Sequence, residues 1–235
     1  AREFNSLKYL KILDLSYNRI SRVELTNVFS GAPNLQFLDL SWNLIDTKAL
    51  GRINFDTSSG LKQLNLSYNR LSILEKFVFK NLNKLEVLDV SYNEIFQIEA
   101  NTFSGLFRLR DLFMYDIRPN KSVTFVNENF ISECNFLKSV HISSIDLVTS
   151  NLQAFISSLK AISTNRTVNR ADYYKSINIR LNNYDYYKSN VNYACELTIR
   201  LLRHRIHFNL YDDFNFEIFL QNCFSLDLKE IINFY

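Results

Sequence analysis

The chain has 235 residues, 47% of them apolar, with both signs of charge mixed along its length and a formal charge of +3. That composition is globular and excludes a disordered, highly charged segment. Lys and Arg form no long block, so charge gives nucleic-acid binding no support, and no apolar run reaches the roughly 18 to 20 residues that span a bilayer.

No basic start followed by an apolar stretch marks a secretory leader. The chain lacks an initiator Met and opens part-way through a repeat, at Phe4-Asn5-Ser6-Leu7. Both features point to an excerpt of a longer polypeptide, with any membrane anchor lying outside these residues.

Four segments match L-x-x-L-x-L-x-x-N-x-[IL]: Leu10 to Ile20, Leu35 to Ile45, Leu61 to Leu71 and Leu85 to Ile95, with starts spaced by 25, 26 and 24 residues. A second mark runs in step with them. Phe4, Phe29, Phe55, Phe79 and Phe103 each fall six residues before the next block. Such self-similarity is the signature of a repeat architecture. Alternating Leu side chains point to one face of a short strand, as a period of two requires. One such strand cannot bury its apolar face alone, so neighbours must stack into a parallel sheet over a continuous Leu core, with Phe as a second column. Asn18, Asn43, Asn69 and Asn93 fall where the chain leaves each strand. Their amides carry both donors and an acceptor, which suits them to satisfy turn backbone in their own repeat and the next.

Beyond residue 105 the pattern loosens. Leu109, Leu112 and Met114 keep a strand, but Ile117 stands in the Asn position; Leu137, Val140 and Ile142 form a sixth block, with Ile145 in that position. The repeat between them is stretched to 28 residues around Arg118-Pro119-Asn120. Tyr174-x-x-Ile177-x-Ile179-x-x-Asn182 recovers the template, while Leu159-x-x-Ile162 and Ile206-x-Phe208-x-Leu210 are weaker candidates. Phe219-x-x-x-Cys223-x-x-Leu226 echoes Phe130-x-x-x-Cys134-x-x-Leu137. The expected organisation is therefore regular repeats over 1–112 and degenerate repeats of the same solenoid over 113–235.

The blocks Leu-Asp-Leu-Ser-Tyr-Asn-Arg-Ile, with a Phe in the following loop, resemble the "typical" class of leucine-rich repeats from animal extracellular proteins. The ectodomains of Toll-like receptors are similar in style, with lengthened repeats interrupting regular ones. The resemblance covers residues 4 to about 112. It implies an α/β solenoid, a right-handed horseshoe with a parallel β-sheet on the concave face and loops or short helices on the convex face. It further implies an extracellular or cell-surface recognition module that binds a protein or other macromolecule and dimerises as a receptor. A cytoplasmic repeat scaffold or sensor subunit is the alternative, and an array presenting substrate to a catalytic domain elsewhere is a third.

In this fold the strand positions between leucines face outward. They form four columns: Ile12, Phe37, Gln63, Val87, Asp111; then Asp14, Asp39, Asn65, Asp89, Phe113, His141; then Ser16, Ser41, Ser67, Ser91, Tyr115; and finally Tyr17, Trp42, Tyr68, Tyr92, Asp116. The first is chemically irregular and suits a specific partner. The aromatic column supplies rigid contact area of the hot-spot kind, although Tyr there also belongs to the repeat consensus. The aspartates read as a solvated acidic strip, since no oxygen-rich loop of metal-site spacing accompanies them.

Three Cys give no paired spacing; Cys134 takes the place of a core Leu, Cys223 is expected to do the same by its parallel context, and Cys195 lies in an unassigned segment. Asn65, Asn120 and Asn165 head glycosylation sequons. No nucleophile with a base, metal cluster or Gly-rich phosphate loop appears, so neither an enzyme nor a cofactor or metal site is expected.

Overall fold

The computed structural model describes residues 7–21, 29, 32–53, 55, 60–115, 124–125, 130–131, 133–143, 178–182 and 208–210. In chain order the elements are β1 (Ile12–Asp14), β2 (Phe37–Asp39), α1 (Thr47–Arg52), β3 (Gln63–Asn65), β4 (Ile73–Leu74), β5 (Val87–Asp89) and β6 (Gln97–Ile98). They continue with β7 (Asp111–Met114), β8 (Thr124–Phe125), β9 (Ser139–Ser143), β10 (Asn178–Asn182) and β11 (Phe208–Leu210). The main sheet runs β1-β2-β3-β5-β7-β9-β10-β11, with every neighbouring pair parallel. Its register places Leu13, Leu38, Leu64, Leu88, Leu112 and Val140 in one row, as the leucine pattern requires.

Each rung buries its leucines because the strand alternates faces. From Leu35 to Val140 the inward residues, including Leu38, Leu64, Leu88 and Leu112, are essentially inaccessible to solvent. Leu10, Leu13 and Leu15 of the first rung are only partly buried and pack against the core from one side. Phe29, Phe55, Phe79 and Phe103 are buried, and Phe130 extends the column. The Phe79 and Phe103 rings stack with centroids 6.0 Å apart, and Phe103 meets Phe130 at 6.2 Å. Phe4 lies outside the described residues.

The Asn at each strand exit ties two rungs together. The Nδ2 of Asn69 donates to the carbonyls of Leu66 and Ser67 in its own repeat and to Leu40 of the repeat before, at 2.9–3.1 Å, while its Oδ1 accepts from the Ile45 amide at 3.0 Å. Asn43 and Asn93 repeat this pattern on Leu15 and Ile20, and on Leu66 and Leu71. The link therefore runs to the preceding repeat, not the following one as the sequence suggested. The chain leaves each strand toward the turn its predecessor has already made, which puts that turn's backbone within reach. Asn18, on the first rung, is exposed and bonds only its own Leu15 and Ser16 carbonyls.

The convex side differs from expectation in one respect. Besides α1 it carries a second parallel sheet, β4-β6-β8. Strands of two residues are too short for any periodicity to announce them. α1 begins at Asp46, whose carboxylate accepts from the Ala49 amide at 2.7 Å, and buries Ala49 and Leu50. The Thr47 hydroxyl accepts from the Ser72 and Ile73 amides and so occupies the edge of that sheet. Gly105 is demanded by geometry: its φ is +87°, and a Cβ there would stand 2.2 Å from the Lys80 carbonyl oxygen.

In β10 the register departs from the sequence reading. Ile179 and Leu181 pair with Val140 and Ile142, so the template slides by two residues from Ile177 and Ile179, and Asn182 stands beside Ser143 rather than at the Asn position. A shift of two keeps the same faces inward, so alternation alone does not distinguish the two settings. The candidates around Leu159, Ile162, Cys195, Cys223 and Leu226 lie outside the described residues, as do Ile117 and Ile145.

Replacing Asn69 with Ala leaves buried carbonyls and the Ile45 amide unpaired and should lower stability by about 1 to 3 kcal/mol. Asn18→Ala, at an exposed site, should cost much less. Urea unfolding of both variants beside the parent checks this difference.

Candidate functional site

The concave face was read from sequence as four columns, and three of them are occupied by the scaffold's own bonding. In the second column each acid folds onto the residue two positions on. Asp14, Asp39 and Asp89 accept the amides of Ser16, Ser41 and Ser91 through Oδ1 at 2.8–2.9 Å, and Asn65 accepts both the amide and the hydroxyl of Ser67. These are Asx turns, in which a short side chain stands in for backbone. The expected solvated acidic strip is thus only partly solvated. The hydrogen bonds from Ser16 hold the exposed Asp14 carboxyl below its usual range. Burial pushes Asp89 the other way, against the Ser91 bonds and with help from the Asp39 charge. Asn65 lies between them and donates to Asp39 Oδ2 at 3.1 Å, so its sequon amide is engaged within the sheet.

The aromatic column is a continuous stack. Ring centroids are 5.1 Å apart for Tyr17 and Trp42, 3.9 Å for Trp42 and Tyr68, and 4.2 Å for Tyr68 and Tyr92, with planes within 11°. All four residues have φ between 53° and 54°, the left-handed region that favours glycine. Each amide donates to the next rung, Trp42 to the Ser67 carbonyl and Tyr68 to the Ser91 carbonyl at 3.0 Å. Ring stacking and this bond offset the backbone strain. The faces of Trp42 and Tyr68 are covered by their neighbours, so the column presents mainly ring edges. Sequence reasoning missed the strained backbone; four aromatics each directly preceding an Asn were the only available signal.

The first column is the exception. Ile12 is exposed, Gln63 is exposed, and Phe37 and Val87 are half-buried. At the fifth rung Asp111 joins a cluster that the sequence did not bring together. Its Oδ1 accepts from Ser139 Oγ at 2.5 Å; Ser139 Oγ lies 3.1 Å from His141 Nε2, and His141 Nδ1 lies 2.5 Å from the Tyr115 hydroxyl. Phe113 stacks on the imidazole at 4.2 Å. The single Ser139 proton goes to Asp111, so Ser139 accepts from His141 Nε2–H and Nδ1 accepts from Tyr115. Serine thus sits between histidine and acid, whereas a triad places histidine between them. The arrangement orders the sheet and activates no nucleophile. Here the Asp-Ser pairs of the regular rungs give way to Phe113, Tyr115 and His141.

Cys134 is buried, its thiol directed to the Phe103 carbonyl and pushed up in pKa by burial and by Glu133. Among the described residues no group of three His, Cys, Asp or Glu side chains could hold a metal ion. Asn120, Asn165 and Asp116 lie outside the described residues.

Rungs of one leucine-rich strand, an Asn link between neighbours and a buried Phe column define a repeat class, and a family profile described as leucine rich repeat matches residues 2–45 and 50–116. Those residues are leucine-rich repeats. Toll-like receptor 3 of Boselaphus tragocamelus is 34% identical over 139 residues, and that of Bos taurus 35% over 140. Each alignment covers 55% of this chain and 15% of the relative, so the repeats match a small part of those receptors' length. Among solved structures an internalin of Listeria monocytogenes is similar at a TM-score of 0.51 and 13% identity, covering 87% of this chain and 48% of the internalin. At that identity the likeness is one of fold. The leucine-rich repeats therefore form a protein-interaction type of module, similar in sequence to Toll-like receptors.

Because Tyr68 combines a stacked ring with a left-handed backbone, Tyr68→Gly should be less destabilising than Tyr68→Ala by about 1 kcal/mol, the reverse of the usual order within a strand. Thermal unfolding of the two variants decides it; a more stable Ala variant would show that the backbone is not strained.

Proposed function

We propose that these repeats are a ligand-binding stretch of a Toll-like or related receptor, non-enzymatic, exposed outside the cell and engaging a macromolecule on the concave face. One observation carries the reading. Among the described residues Ile12, Phe37, Gln63 and Val87 make no side-chain hydrogen bond or ring contact, whereas the neighbouring columns are committed to Asx turns and stacked rings. A fixed scaffold beside a chemically varied column, uncommitted over its first four rungs, is the arrangement that lets one repeat class serve many partners.

The likeness to Toll-like receptor 3 supports a receptor of that kind, acting at the cell surface and pairing with a second receptor chain when occupied. On this reading the membrane is met only through segments outside these residues. Asn120 and Asn165 are the sequons that would carry glycans. Asn65 would do so only by giving up its bonds to Asp39 and Ser67.

Site-specific photo-crosslinking in cells tests the face. With a crosslinker at Phe37 or Val87, a discrete macromolecular adduct should form on the secretory side of the membrane, and the product should shift on glycosidase treatment. A crosslinker at Lys76 on the convex side should give none. Adducts confined to the convex position, or an unglycosylated protein in the cytosol, would refute the proposal and favour the intracellular scaffold.

A further inference from the structure

A small net charge conceals a row of exposed cations along one edge of this solenoid. Immediately before the main strands, Lys11, Gln36, Lys62, Glu86, Arg110 and Lys138 form a backbone ladder in which each amide donates to the preceding carbonyl at 2.7–2.8 Å. All four cations of this column are exposed. Lys84 and Arg108, two residues before Glu86 and Arg110, add exposed charge to the same edge. The single acid, Glu86, is paired with Arg110 at 3.4 Å. The acids of the same rungs, Asp14, Asp39, Asp89 and Asp111, stand instead on the sheet face, tied into turns or to Ser139. Two large apolar side chains, Phe107 and Phe136, lie exposed on this edge, at 50% and 60%.

We propose that this basic edge is a second docking surface, and that its partner is an extended acidic polypeptide segment. Charge complementarity gives the sign. Spacing gives the form. Lys11, Lys62 and Arg110 stand on alternate rungs, about 9.6 Å apart for strands separated by about 4.8 Å. Three residues of extended polyproline-II chain advance about 9.3 Å. A peptide with a carboxylate at every third residue therefore meets one cation after another without distortion. The rungs between carry Gln36 and Glu86, and Glu86 would repel a polymer charged at every unit. Phe107 and Phe136 offer apolar anchors that a peptide can match with its own side chains. These features favour a polypeptide over a uniformly charged polyanion. Individual exposed ion pairs contribute little, so binding relies on several at once and weakens steeply with salt.

The test uses the full chain and fluorescence anisotropy at low salt. Its probe is a labelled peptide of about nine residues with Glu at every third position and Ala or Pro elsewhere, because about nine polyproline-II residues cover the roughly 24 Å of six rungs. A second peptide has the same composition with the Glu residues in one block. The periodic peptide should bind more tightly than the blocked one. Lys62→Glu with Arg110→Glu should weaken it by about tenfold or more, and the neutral pair Lys62→Gln with Arg110→Gln by less, while Lys76→Gln on the convex side leaves it unchanged. Circular dichroism of each variant confirms the fold, and the neutral pair keeps the test valid if charge reversal disturbs it. No binding at low salt, equal affinity for the two peptides, or tighter binding of a heparin fragment or a single-stranded oligonucleotide of matched charge would overturn the proposal.

Discussion

A strand of three residues makes too few hydrogen bonds to persist alone, and a repeat of about 25 residues buries too little apolar surface to fold by itself. What stabilises the molecule is the bond from one rung to the next. The side-chain amide of Asn43, Asn69 or Asn93 closes its own turn and reaches back to the turn before it. Its oxygen takes up the amide of Ile20, Ile45 or Leu71, which would otherwise be left without a partner at the strand exit. The leucine core supplies the driving force, but it is non-directional. Register comes from these directional links, which a one-residue slip would break.

That requirement shapes the surface. Each regular rung carries an Asx turn, in which Asp or Asn takes up the amide two residues on, and a left-handed exit at an aromatic stacked on its neighbours. Residues that look available for binding in the sequence are thereby committed to the frame. Variation remains at the outward position between the first two leucines and at the edge before the strand. Where the frame itself changes, at Phe113, Tyr115 and His141, the Asp-Ser pair is replaced by an aromatic and polar cluster anchored on Asp111.

Much of the fold was legible because its determinants are local and periodic. The spacing of Leu10, Leu35, Leu61 and Leu85 set the strand positions, and the parallel register follows the same residues. The buried Phe column could be read from its constant offset. Three features were not legible. The two-residue convex strands are shorter than any period. The β10 register is ambiguous because Ile177, Ile179 and Leu181 alternate equally well. The direction of the Asn link depends on where the preceding turn lies in space, which no single repeat records. For the candidate site, sequence named the columns but could not tell side chains held by the scaffold from those left to a partner, since that distinction lies in hydrogen bonds such as Asp39 to Ser41. Nor did net charge reveal that a row of cations lines one edge.

Hydrogen exchange of the backbone amides of Ile20, Ile45 and Leu71 tests the rung-to-rung link most directly. These three donate to an Asn side chain of the following repeat rather than to a strand partner. They should exchange as slowly as the amides within β3 and β5. Exchange at the rate of an unstructured peptide, with the strands still protected, would contradict the account.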